Sequence, residues 1–208
     1  MFDDIRARYF PTELVPGIIA RPVDAGSFWT LIERVPGDVF SSLSDLGNYE
    51  MPAARQGRAL GLREVYANIH SEHIIFYDAH GEPVGWSTGV MVDPSTFFMS
   101  YTGVSPQYRR MGIYSAFLNV FMPYLYEVGY ERVTSNHMVN NRAVLIAKLK
   151  AGFFITGTLL DERWGAQVSM VYLFHEDRRK GFASAFGLEN YSGVPEYFTG
   201  EHGEPQNA

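Results

Sequence analysis

Residues 97–128 place a strand, a tight loop and a helix in immediate succession, and that order restricts the folds open to this chain. An apolar, strand-like run (Phe97, Phe98, Met99, Ser100, Tyr101, Thr102) leads into V-S-P-Q-Y-R-R-M-G-I-Y-S at Val104–Ser115. The helical stripe Ile113, Phe117, Val120, Phe121, Tyr124 and Val128 follows, with Gly129 as a natural stop. Pro123 inside that stripe predicts a kink or an early end. Free N–H groups at a helix start carry partial positive charge and favour an anion. A glycine there lets the anion come close, because no Cβ stands in the way. The N–H groups from about Arg110 to Ser115 therefore suit a phosphate.

The flanking segments supply a sheet for this unit. Gly17–Val23 reads as a strand, and Asp24 as the cap of a helix to about Arg34. Ser42–Tyr66 contains helical stretches interrupted near Met51-Pro52. His73–Asp78, Val84–Val92 and Thr96–Val104 read as an antiparallel meander, with turns at 79–83 and 93–95. Glu131–His137 is a further strand, and Asn141 caps a helix to about Ala151 that Gly152 ends. Phe153–Leu160 and Val168–Phe174 form a last pair, joined around 161–165. Strand, helix, strand, helix is a crossover signature, so part of the sheet is expected to be parallel. The expected class is α+β with an α/β-type crossover: a mixed, mostly antiparallel central sheet of about six to seven strands, flanked by helices. Residues 1–175 read as one domain and 176–208 as an extension. Phe182, Phe186, Tyr191, Tyr197 and Phe198 predict that the extension packs on the domain or on a second copy in a homodimer, with a loose end.

Composition narrows the chemistry. With 208 residues, 46% of them hydrophobic, the chain can fill one core. A net charge of −6 argues against a nucleic-acid partner, favours a cationic small-molecule partner through steering, and still allows one anionic ligand at Arg109-Arg110. The absence of cysteine excludes thiolate metal sites and a cysteine nucleophile. No run has the length of a membrane span, and Met1-Phe2-Asp3-Asp4 lacks the features of a signal peptide, so a cytoplasmic protein without a membrane partner is expected.

The stretch Val104-x-Pro106-x-Tyr108-Arg109-Arg110-x-Gly112-Ile113 resembles the acyl-CoA-binding motif R/Q-x-x-G-x-G/A of the GNAT superfamily of N-acetyltransferases, with Arg109, Gly112 and Tyr114 at its three named positions. Asn141–Phe153 is similar to the family's later N-x-x-A…G-F segment, in the expected order. The resemblance implies an acetyl-CoA-dependent N-acetyltransferase, acting on a primary amine of a small molecule or protein by direct attack in a ternary complex. It assigns the pyrophosphate to Arg109, Arg110, Met111, Gly112, Ile113, Tyr114 and Ser115, and the pantetheine amides to main-chain groups of Thr102 and Val104. Asn141 falls near the pantetheine or the thioester, although capping alone also accounts for an asparagine there.

The catalytic half departs from the family pattern. Tyr114 stands at a small-residue position, and the family's acid tyrosine on the second helix corresponds to Lys148. Phe97–Thr102 lacks the carboxylate that often serves as base. Acyl transfer to an amine needs removal of the amine's proton, a main-chain N–H near Val104 for the oxyanion, and a proton for the leaving thiolate. Lys148, Tyr114 and Tyr108 are candidate acids; His137 is the candidate base, with Asp161, Glu162 or a water chain as weaker alternatives. The departures also motivate a second reading, an acyl-CoA-binding sensor or assembly module without turnover. Phe28, Trp29, Tyr49, Trp86 and Trp164 point to an aromatic-lined acceptor pocket, with core packing as their competing use.

Overall fold

The computed structural model describes residues 2–36, 52–162 and 164–188. The chain runs α1 (Phe2–Tyr9), β1 (Thr12–Val15), β2 (Ile18–Pro22), α2 (Ala25–Ile32), α3 (Ala53–Ala67), β3 (Ser71–Tyr77), β4 (Pro83–Asp93) and β5 (Thr96–Val104). It continues through α4 (Ile113–Val128), β6 (Arg132–Met138), α5 (Arg142–Lys150), β7 (Phe154–Asp161), β8 (Gly165–Leu173) and α6 (Glu176–Ala185). The strands form one sheet of eight in the order β1-β2-β3-β4-β5-β6-β8-β7. Every neighbouring pair is antiparallel except β5 and β6, the two strands that α4 connects. The mixed sheet and its crossover are as expected; β1, too short to show an alternation, adds a strand beside β2.

Each face of the sheet has its own cover. On one, α4 packs Phe117, Phe121, Tyr124 and Leu125 against Ile74, Phe76, Phe97 and Val133. On the other, Phe28 of α2 meets Ile75 and Trp86. Asp24 caps α2 by accepting the Ser27 N–H at 2.9 Å, as the sequence predicts. At the far end the ring of Phe182 of α6 packs at a tilt against Phe154, ring centroids 4.9 Å apart.

The helix does not end early at Pro123; α4 continues to Val128. A proline inside a helix costs about 3 kcal/mol. Burying one large apolar side chain returns about 1.5–3 kcal/mol, and five of them on α4, Phe117, Leu118, Phe121, Tyr124 and Leu125, are exposed by 1% or less. Packing therefore outweighs the local penalty. Met51, Tyr49, the helical stretches expected before residue 52 and the tail aromatics Tyr191, Tyr197 and Phe198 lie outside the described residues.

Candidate active site

The site begins as a failure of strand pairing. β5 and β6 pair only through Thr96, Phe97 and Phe98 against Arg132, Val133 and Thr134. Beyond these residues the strands run on unpaired with each other, to Val104 and Met138. Within β5 the register against β4 steps from Thr88↔Tyr101 to Gly89↔Met99, so Ser100 is a bulge. A Cβ on Gly89 would lie 2.3 Å from the Phe97 ring and 2.6 Å from the Phe98 carbonyl oxygen, so only glycine lets the strands approach here. The gap is a cleft of about 260 Å³. Its walls include Ser100 and Thr102 of β5, His137 of β6, Tyr114 of α4, Asn141 and Lys148 of α5, and Asp161 and Trp164 beside the β7–β8 turn.

Lys148 and Ser135 are both completely buried. The Lys148 Nζ donates to Ser135 Oγ at 2.6 Å and to Met99 Sδ at 3.6 Å, and stands 4.2 Å from the centre of the Phe153 ring. Burial holds the amine well below the usual lysine range. Ser135 Oγ is also 3.0 Å from His137 Nε2. Ser135 has one proton; as it accepts from Lys148, it can donate that proton to the ring nitrogen. Burial first, and positive charge at Lys148 whenever that amine is protonated second, push His137 down to about 3, so the ring is neutral at physiological pH. Burial also pushes the Tyr114 phenol up, which keeps it protonated.

The open edge of β5 has a defined polarity. Ser105 N–H donates to Val84 O at 2.8 Å, toward β4. A Cβ on Gly85 would lie 2.6 Å from Gly103 O, so that carbonyl also faces β4. Alternation then turns the peptide groups of Thr102 and Val104 toward the gap. Arg109 Nε reaches Val104 O at 3.1 Å.

Beyond β5, a 3₁₀ turn at Pro106–Tyr108 leads to Arg110 at φ 67° and Gly112 at φ 83°. Arg110 is the single positive-φ residue other than glycine among those described. The first helical hydrogen bond joins Ala116 N–H to Gly112 O, leaving the N–H groups before it without acceptors inside the helix. A Cβ on Gly112 would meet no protein atom within 4 Å, so space is left beside those groups. The loop and open strand edge thus fit the diphosphate and amides of the expected acyl-CoA.

The structure brings Thr102, Tyr114, His137, Asn141 and Lys148 to one cleft. Arg109, Arg110, Met111 and Gly112 stand at the loop outside it, Ser115 is in the first turn of α4, and the Ile113 side chain is in the core. Asn141 accepts the Val144 N–H at 3.5 Å, a long cap. Tyr108 donates to Asp78 at 3.1 Å and Glu162 is exposed; neither lines the cleft, whereas Asp161 does. Neither Ser135 nor the Ser100 bulge carries a motif in the sequence. Alternation from the apolar Val133 was the available signal for Ser135.

Residues 43–153, more than half of the chain, match the acetyltransferase (GNAT) family. No curated protein matches the sequence. Among solved structures, the spermidine N-acetyltransferase of Vibrio cholerae in complex with CoA and spermine is similar with a TM-score of 0.55 at 14% identity, over 76% of this chain and 96% of that one. Ard1 from Thermoplasma volcanium gives 0.53 at 18% identity, over 76% and 97%. At these identities the likeness is one of fold. The chain belongs to the acetyltransferase (GNAT) family and is an acetyltransferase whose acyl donor is acetyl-CoA.

Proposed function

We propose that the enzyme acetylates a primary amine by direct attack in a ternary complex, with Lys148 as the proton-handling group. The observation that carries this reading is the cleft itself, where the Lys148–Ser135–His137 chain meets the open edge of β5. Acetyl-CoA supplies an activated thioester when bound. The first-turn N–H groups of α4 and the guanidinium groups of Arg109 and Arg110 bind its phosphates. Thr102 and Val104 offer peptide groups to its amides, and Asn141 positions the arm from the start of α5. N–H groups on the same edge stabilise negative charge developing on the acyl oxygen.

A neutral Lys148 amine has two hydrogens, which Ser135 Oγ and Met99 Sδ accept. Its lone pair is left to take up a proton. Ser135 and the neutral His137 hold this geometry. With no cysteine in the chain, the commonest covalent acyl carrier is absent, which favours direct transfer. The acidic net charge steers a cationic acceptor toward the enzyme.

The test combines calorimetry with acetyl-CoA and thiol release over an amine panel. Lys148→Met is expected to lower kcat by about 10²–10⁴-fold, as loss of one proton-transfer group does, with acetyl-CoA affinity unchanged. Full turnover in that variant would remove Lys148 from the mechanism. Tight acetyl-CoA binding without thiol release from any amine would return the chain to the non-catalytic reading.

A further inference from the structure

A second cavity, of about 240 Å³, opens beside the cleft on the α2 face of the sheet. Among the described residues its walls include Phe28 and Trp29 of α2, Trp86 and Thr88 of β4, Tyr101 of β5, and Trp164. Trp29, Trp86 and Trp164 are all the tryptophans the chain has. Tyr101 and Trp164 wall both cavities, their ring centroids 5.7 Å apart, so the two spaces adjoin. Strand alternation puts Trp86 and Tyr101 on the α2 face and Thr102 on the α4 face. A molecule entering from the α2 side therefore meets the gap from the face opposite α4.

The lining specifies the guest. None of the described residues around the second cavity is charged. Beside the phenol of Tyr101 and the indole N–H groups, its hydroxyl side chain Thr88 is bonded through Oγ1 to His73 Nδ1 at 2.8 Å. Asp161, in the reaction cleft, is the single carboxylate among the described residues of either cavity. A polyamine here would bring further ammonium groups among rings with no carboxylate from the described residues to pair them, and a cation over an aromatic face recovers only part of its lost hydration. An aromatic ring fits without that loss. A cavity of roughly 150 Å³ accepts benzene, so this one has room for a ring and a short linker.

We propose that the acceptor is an aromatic monoamine. Its ring sits among Trp29, Trp86 and Trp164, and its amine, about two carbons away, passes Tyr101 into the cleft beside Asp161. This assignment rests on the acetyl-transfer reading. In the reaction the amine nitrogen forms a bond to the acyl carbon as the C–S bond breaks. Of the two protons the ammonium sheds, one leaves on the thiol and the other passes to water.

Because every tryptophan lines the cavity, their fluorescence reports its occupancy directly. The full chain, saturated with CoA, is titrated with 2-phenylethylamine, n-butylamine and spermidine, and each amine is assayed with acetyl-CoA. The ring amine is expected to shift the emission at about ten-fold lower concentration than the others, and to lead in kcat/KM by a similar factor. Trp29 is half-exposed, so Trp29→Ala spares the core; it is expected to erase the ring amine's lead while the KM for acetyl-CoA is unchanged. Spermidine equal to or better than the ring amine, or a lead that survives Trp29→Ala, overturns the assignment. An emission shift with the ring amine but no thiol release sinks acetyl transfer and leaves the ring site standing. Thiol release from spermidine with ring amines inert does the reverse.

Discussion

An unfolded Lys148 is an ammonium at neutral pH, with an ordinary value of 10.5, whereas the folded chain seals it beside a hydroxyl, a thioether and a phenyl ring. Folding at this site therefore releases a proton wherever the pH lies between the depressed folded value and 10.5. The unfolded state binds more protons from the depressed folded value up to 10.5, so stability rises with pH through that window, by about 1.4 kcal/mol per unit. Lys148→Met keeps the volume and removes the titration. The variant is expected to be more stable than the native chain at pH 6, with an advantage that shrinks steadily toward pH 9. Urea denaturation at several pH values measures it. A constant difference would show that the amine keeps its proton on folding. The sequence marked Lys148 because its register on α5 matched a family position. Alternation from Val133 marks Ser135 as inward-facing but not as the partner of Lys148, which depends on α5 packing across β6 to bring Nζ within 2.6 Å.

The loop between β5 and α4 was the most legible element, because its geometry is local. Proline, arginine and glycine in that order imply a turn into a helix start, and the helix begins at Ile113, one residue after Gly112. Arg110 was not legible as a left-handed residue, since nothing in its type demands φ 67°. At Gly112 the two demands separate. Alanine there meets no protein atom within 4 Å, so the structural penalty is the backbone conformation, about 1–2 kcal/mol. The added Cβ nevertheless stands in the space left for an anion. Gly112→Ala is expected to weaken CoA binding about ten-fold or more in calorimetry, while pantetheine, which has no phosphate, binds as before. Equal losses for both ligands would mean that the whole site had been distorted.

At the scale of the molecule, the core strands and α4 were readable because their apolar periodicity is their own, whereas α1 was not, because none of its residues is buried. What holds α1 is tertiary. Arg6 reaches the buried Glu72 of β3 through Nε at 3.2 Å and Nη2 at 2.9 Å, and Glu72 also accepts from Tyr124 of α4 at 2.5 Å and pairs with His70 at 3.0 Å. One carboxylate thus ties a terminal helix, a central strand and the crossover helix together. Burial pushes Glu72 upward, but the hydrogen bonds from His70, Arg6 and Tyr124, with the Arg6 charge, outweigh it and hold the group below its usual 4.5. A depressed carboxyl contributes stability that is fully present above the unfolded value and is lost as pH falls through the folded one. Glu72→Gln is expected to cost about 3 kcal/mol at pH 7, near the lower end for breaking a buried ion pair because Arg6 keeps partial contact with water. As the medium is acidified below 4.5 the unfolded carboxylate takes up its proton first, so the native chain's advantage falls until pH passes the depressed folded value and the two chains converge. Denaturant midpoints at pH 7 and pH 3 test this. A gap that persists undiminished at pH 3 would assign the loss to packing around the amide and not to the charge that joins α1, β3 and α4.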